Sequence, residues 1–89
     1  MPDVVFTANI QRHVPCPQKR VAGQTVREIL DAVFDGNQRA RGYVLDDRGA
    51  LRRHMVVFVD GVPIRDREAL TDPVPAEAQV YVMQALSGG

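Results

Sequence analysis

Apolar and polar residues alternate from Asp3 to Asn9, which predicts a strand with Val4, Phe6 and Ala8 on one face and Val5, Thr7 and Asn9 on the other. Gln11 to Pro17 holds two prolines and reads as a turn. Gln18 to Ala22 reads as a short polar strand, a hairpin partner for the first, and Gly23-Gln24 breaks it. The period then changes. Val26, Ile29, Leu30, Val33 and Phe34 follow i, i+3, i+4, i+7, i+8 spacing and predict a helix with one apolar stripe. Thr25-Val26-Arg27-Glu28 just before it has the form of a capping box. The threonine hydroxyl accepts from the N–H three residues on, and the glutamate reaches back to the N–H of the cap. Gly36 or Asn37 can supply a left-handed C-terminal cap, and a ragged turn through Gln38-Arg39 fits equally well.

Tyr43-Val44-Leu45 is a brief apolar run, and Asp46-Asp47-Arg48-Gly49 is turn chemistry. Leu51 to Val59 ends in the unbroken run Met55-Val56-Val57-Phe58-Val59, a central strand covered on at least one face. Asp60-Gly61 suits a two-residue hairpin turn whose central positions need positive φ. Val62-Pro63-Ile64 follows as an edge strand, because proline cannot donate to a ladder. Thr71 to Pro75 is irregular. Ala78 to Ala85 alternates Val80 and Val82 against Tyr81, Met83 and Ala85. Strand, strand, helix and further strands predict an α+β, two-layer arrangement, one mixed sheet with the helical stripe across one face.

Composition narrows the function classes. At 89 residues, 45% apolar and 25% charged, the chain is one ordinary globular domain. Its formal net charge is zero, so nothing global draws it to nucleic acid or an anionic membrane. No stretch reaches transmembrane length, and Met1-Pro2-Asp3 does not open a signal peptide, so the expectation is a cytoplasmic protein with no membrane partner. The lone Cys16 agrees with a reducing compartment. It reads as a passive apolar residue more readily than as a nucleophile served by His13, and His13, Cys16 and His54 lack the spacing of a zinc site. Asp46-Asp47 reads as a solvated turn. Arg39, Arg41, Arg48, Arg52 and Arg53 read as a solvated face or partner contact, since no aromatic residues interleave for base stacking.

The strand-like Val80-Tyr81-Val82-Met83 is followed almost at once by Leu86-Ser87-Gly88-Gly89. Glycines at 88 and 89 adopt φ values closed to other residues and pass a channel too narrow for side chains. Fully extended, Ser87 to Gly89 carry a terminal carboxylate about 10 Å beyond the fold. Taken alone, such a segment is more often a frayed end than a device for delivering a carboxylate.

The ordered set Val57-Phe58-Val59-Asp60-Gly61-Val62-Pro63-Ile64, Leu70, Val80-Tyr81-Val82 and Leu86-Ser87-Gly88-Gly89 changes that balance. With Val4 to Ala8 and the helix at Thr25, it resembles the MoaD/ThiS sulfur carriers, ubiquitin-like β-grasp proteins ending in Gly-Gly. The resemblance implies a β-grasp domain over residues 1–86, with four to five strands and one main helix packed on one face, and a flexible tail over 87–89. It departs from the common pattern at Glu77-Ala78, where many members have Gly-Asp, and at Gln84-Ala85, where many molybdopterin-synthase small subunits have prolines. The longer segment Tyr43 to His54 is more like carriers that serve cysteine and related sulfur metabolites.

An α-carboxylate is ionised at neutral pH and is a poor electrophile. The resemblance implies that a ubiquitin-activating-type adenylyltransferase, using ATP, makes an acyl-adenylate at Gly89, and that a sulfur nucleophile converts it to a thiocarboxylate for a downstream sulfur-accepting enzyme. The chain itself would then have no catalytic residue, metal or intrinsic cofactor. Ser87, Gly88 and Gly89 would thread the partner's active site, and Tyr81, Met83, Ala85 and Leu86 would meet the partner. Met83 reads equally as an apolar partner contact or as an edge of the core. The alternatives are the small subunit of molybdopterin synthase and, in another class, a modifier joined to lysines through Gly89. Lys19, the only lysine, disfavours chains of modifier on modifier. The leading reading is thus the sulfur carrier, and the bland alternative is a β-grasp binding module with an incidental Gly-Gly end.

Overall fold

The computed structural model describes residues 1–85, so the expected tail 87–89 and Leu86 lie outside the described residues. In chain order the elements are β1 (Asp3–Phe6), α1 (Ala8–Gln11), β2 (Lys19–Arg20), α2 (Val26–Val33), α3 (Gln38–Val44), β3 (Met55–Val59), β4 (Val62–Pro63) and β5 (Gln79–Gln84). The strands form one five-stranded mixed sheet in the order β2-β1-β5-β3-β4. β1 runs parallel to β5, and the other pairs are antiparallel. The last strand is therefore the central one, hydrogen-bonded on both edges. β1 and β2 form the expected hairpin, and β4 is an edge strand as its proline requires. At the β3–β4 turn both Asp60 and Gly61 have positive φ, 50° and 83°.

One face of the sheet carries the core. Val4, Phe6, Met55, Val57, Val80 and Val82 are buried there against Val26, Ile29, Leu30, Val33 and Phe34 of the α2 stripe. The start of α2 shows why it forms. Its first N–H groups have no partner within the helix, yet Val26 donates to the carbonyl of Asp72, Arg27 to that of Leu70, and Glu28 to the Thr25 hydroxyl. The Glu28 carboxylate takes the N–H of Gln24 and not that of the cap itself. The loop supplying those carbonyls is held by two carboxylates. Asp66 accepts from the N–H groups of Glu68, Ala69 and Thr71 and from the Thr71 hydroxyl. Asp72 accepts from the N–H groups of Arg65 and Asp66. Gly36, at φ 76°, provides the left-handed turn after α2.

Three expectations change in detail. The first strand ends at Phe6, and the chain turns into α1, so Ala8 is exposed and Ile10 enters the core. Ala8 breaks the period of two, because the helical turn carries it to solvent while bringing Ile10 into the core. Tyr43-Val44 closes a second helix comparable in length to α2, so the layer over the sheet holds more than one main helix. Asn37 caps α3 by accepting from the Ala40 N–H, and Ala40 and Val44 form its buried i, i+4 pair. β3 begins only at Met55; Leu51 makes an isolated bridge to Leu45 instead.

Candidate functional site

The face of the sheet opposite the helices is apolar and uncovered by the described residues. Register places Tyr81 between Val5 of β1 and Phe58 of β3, and Met83 opposite Val56. Tyr81 is 38% exposed, Val5, Val56, Phe58 and Met83 are half-buried, and Ala85 is exposed. Met83 is outside the core cluster and lies on this open face. Period-two alternation accounts for the division, since Val80 and Val82 point the other way. Of the residues expected to meet a partner, Tyr81, Met83 and Ala85 lie along one strand face. Leu86, Ser87, Gly88 and Gly89 are outside the described residues.

At Ala85 the ladder extends one residue past β5, because its N–H donates to the carbonyl of His54 at 2.7 Å. On the helix side of the same strand end sits Gln84, in phase with Val80 and Val82. Its Oε1 accepts from the Tyr43 hydroxyl at 2.9 Å and from Asn9 Nδ2 at 3.3 Å. The His13 ring stacks on Tyr43 with centroids 5.4 Å apart and planes 24° from parallel. Gly42, Tyr43, Arg52, His54, Met55 and Gln84 line a shallow cleft of about 280 Å³ beside this strand end. The sequence reading passed over Gln84, Tyr43 and Asn9. The available signal was a polar residue at a core-phase position.

The remaining candidates have ordinary structural roles. Cys16 is buried, its thiol donates to the Val14 carbonyl at 3.4 Å, and burial pushes its pKa up, all of which oppose a thiolate nucleophile. His13 is engaged with Tyr43. Asp46 closes the turn after α3 by accepting from the N–H groups of Ala50 and Arg48, which hold its pKa below the usual carboxylate value. The arginines are interleaved with acceptors: Arg41 pairs with Asp31 at 2.6 Å, and Arg52 Nε donates to the Gly42 carbonyl at 2.8 Å. Among the described residues no group of three or more His, Cys, Asp or Glu side chains is placed to hold a metal, and no helix is long and apolar enough to cross a membrane.

A mixed sheet with a parallel first and last strand at its centre and helices on one face defines the ubiquitin-like β-grasp fold. Solved structures agree with that assignment. The chain superposes on SAMP1 from Haloferax volcanii with a TM-score of 0.76 at 22% identity, covering 99% of this chain and 98% of that one. CysO in the Amycolatopsis orientalis BexX/CysO complex matches at TM-score 0.76 and 24% identity over 100% of both chains. Mycobacterium tuberculosis CysO matches at 0.79 and 15%, over 97% of this chain and 100% of that one. These neighbours are ubiquitin-like β-grasp proteins of the sulfur-carrier and modifier type, so the resemblance seen in the sequence holds at the level of fold. No protein-family model matches the sequence, and neither does any of the curated proteins.

Proposed function

We propose that this chain is a sulfur carrier. A ubiquitin-activating-type adenylyltransferase transfers AMP from ATP to the carboxylate of Gly89 with release of pyrophosphate, and a sulfur nucleophile then attacks the acyl carbon and displaces AMP. The resulting thiocarboxylate then gives its sulfur to a downstream enzyme that makes a cysteine-like or other sulfur-containing metabolite. ATP belongs to the partner, and the carrier contributes presentation while the partner contributes positioning and electrostatics. The observation that carries this reading is the placement of Ala85. The central strand delivers the chain there beside an open apolar face, with Leu86-Ser87-Gly88-Gly89 next in sequence. The Amycolatopsis neighbour was solved in complex with BexX, which supports a partner-dependent role. The Haloferax and Methanosarcina neighbours bear the name small archaeal modifier protein, so conjugation to lysines through Gly89 is the second reading.

Deletion of Gly89 tests the proposal. It withdraws the carboxylate by about 3.5 Å, when a misplacement of about 1 Å already costs roughly a hundredfold in rate. ATP-dependent formation of the acyl-adenylate or thiocarboxylate, read by intact mass, should disappear while thermal stability is kept. Gly88→Val, which keeps the length and adds a branched side chain, should also block conversion. Conversion of the shortened chain at the rate of the full chain refutes the carrier reading. Higher-mass conjugates on blots from the native cell would favour the modifier.

A further inference from the structure

We propose that Gln84 is a positioning residue, anchored by Tyr43 and Asn9, that fixes the direction in which the chain leaves the sheet at Ala85; this rests on the carrier reading above. The three side chains come from three elements, α1, α3 and β5, separated by 75 and 41 residues in sequence. Their bonds tie both short helices to the end of the central strand. From the turn just before β3, the His54 carbonyl holds the Ala85 N–H at 2.7 Å. The side chain of residue 84 and the backbone of residue 85 are thus restrained from two sides.

A filler is not required to be polar here. Position 84 has the phase of Val80 and Val82 and is paired with the buried Met55. An unbranched apolar residue such as methionine would extend the core at little expense, because hydrogen bonds made within a fold exchange for bonds to water and contribute only modestly. A bridged carboxamide differs in being directional. Its acceptor must lie in reach of two donors, one on each helix, whereas an apolar contact tolerates sliding and rotation. The four residues after Ala85 span at most about 14 Å when extended, so a swing of about 20° at the root would displace the far end by about 5 Å. A partner that grips the open sheet face and accepts the tail together gains from a root already aimed, through a higher effective concentration of the carboxylate in its site.

Tyr43→Phe removes the hydroxyl donor and keeps the ring stacked on His13, and Gln84→Met removes the acceptor and keeps the length. In the isolated domain both should accelerate amide hydrogen exchange at Ala85 severalfold while the thermal midpoint shifts by only a few degrees. With a ubiquitin-activating-type adenylyltransferase and ATP, the KM for the carrier should stay near that of the unaltered chain, because the sheet face is intact. The kcat for acyl-adenylate formation should fall about tenfold, and the double variant should lose no more than either single one. Unchanged kcat in both variants, with the unaltered chain converted normally, overturns this inference and leaves the carrier reading standing. A loss that tracks the thermal midpoint, or additive losses, also overturns it. Failure of the unaltered chain to be adenylated at all defeats the carrier reading itself and the inference with it.

Discussion

Met83→Asp separates the fold from its use. In the free domain Met83 is half-buried on the open face opposite Val56, outside the core cluster. Aspartate there loses that cross-strand contact and some strand propensity, together about 1 kcal/mol. For a domain of this size that lowers the thermal midpoint by about 4–8 °C. In a complex that covers the face, the same carboxylate is dehydrated without a partner, at an effective cost of several kcal/mol. Taking about 3 kcal/mol, affinity for the adenylating enzyme falls roughly a hundredfold, since each 1.4 kcal/mol is about a factor of ten. Met83→Asn, which shares the poor strand propensity but has no charge, should fall between the two. The assay is the dependence of adenylation rate on carrier concentration, beside thermal melts of all three proteins. A folded Met83→Asp variant activated with unaltered KM refutes docking on this face. Global unfolding of the variant would instead show that Met83 supports the fold far more than its half-exposed position predicts.

Leu30, fully buried in the α2 stripe, should cost about 2–5 kcal/mol when truncated to alanine, and a denaturant-measured loss below about 1 kcal/mol would remove it from the core. Asp66 gives a pH dependence. Its Thr71 hydroxyl partner and the surrounding N–H groups lower its pKa to about 2, so it binds a proton less readily in the folded chain than in the unfolded one. Its stabilisation is complete above the unfolded value of about 3.9 and is lost as pH falls toward about 2. Asp72, lowered chiefly by the N–H groups of Arg65 and Asp66, acts in the same sense. Because the loop these carboxylates hold supplies the carbonyls that cap α2, acid titration followed by circular dichroism should show helix loss in that window. Asp66→Asn should reduce the acid dependence, and an unchanged acid profile in that variant would remove Asp66 from the loop's support.

The parts of this fold legible in the sequence were those whose signal is local and redundant. For α2, a capping threonine, a glutamate three residues on and five apolar residues in helical phase all agree. The hairpin at Asp60-Gly61 is similar, because two positive φ angles in succession leave few other choices of residue. α3 was missed because its evidence is thin. Its buried positions are Ala40 and Val44, one too small to register as core, and Gly42 and the flanking arginines mask the period. Its real support comes from outside: the Asn37 side chain both caps it and donates to the Pro15 carbonyl 22 residues away. Ala8 was misplaced on the inner face of the first strand for the complementary reason, since the single helical turn that takes it to solvent is too short to announce its own period.

The candidate site divides along the same line. That Tyr81, Met83 and Ala85 share a face follows from alternation alone, but whether the face is covered depends on where every helix goes. Here the buried residues of α1, α2 and α3 join the core on the Val80 and Val82 side, which leaves the Tyr81 face open. Gln84 lies at the limit of local reasoning. Its phase says core and its chemistry says surface, and in one sequence that conflict reads as a strand simply running out. Only the meeting of Asn9, Tyr43 and Gln84 resolves it, and none of the three predicts the other two. Where a central strand ends beside an open apolar face, a polar residue at core phase with two donors from separate helices is, on the proposal above, a restraint on the strand's exit and not a fault in the core. The adenylation kinetics of Tyr43→Phe are the measurement on which that view depends.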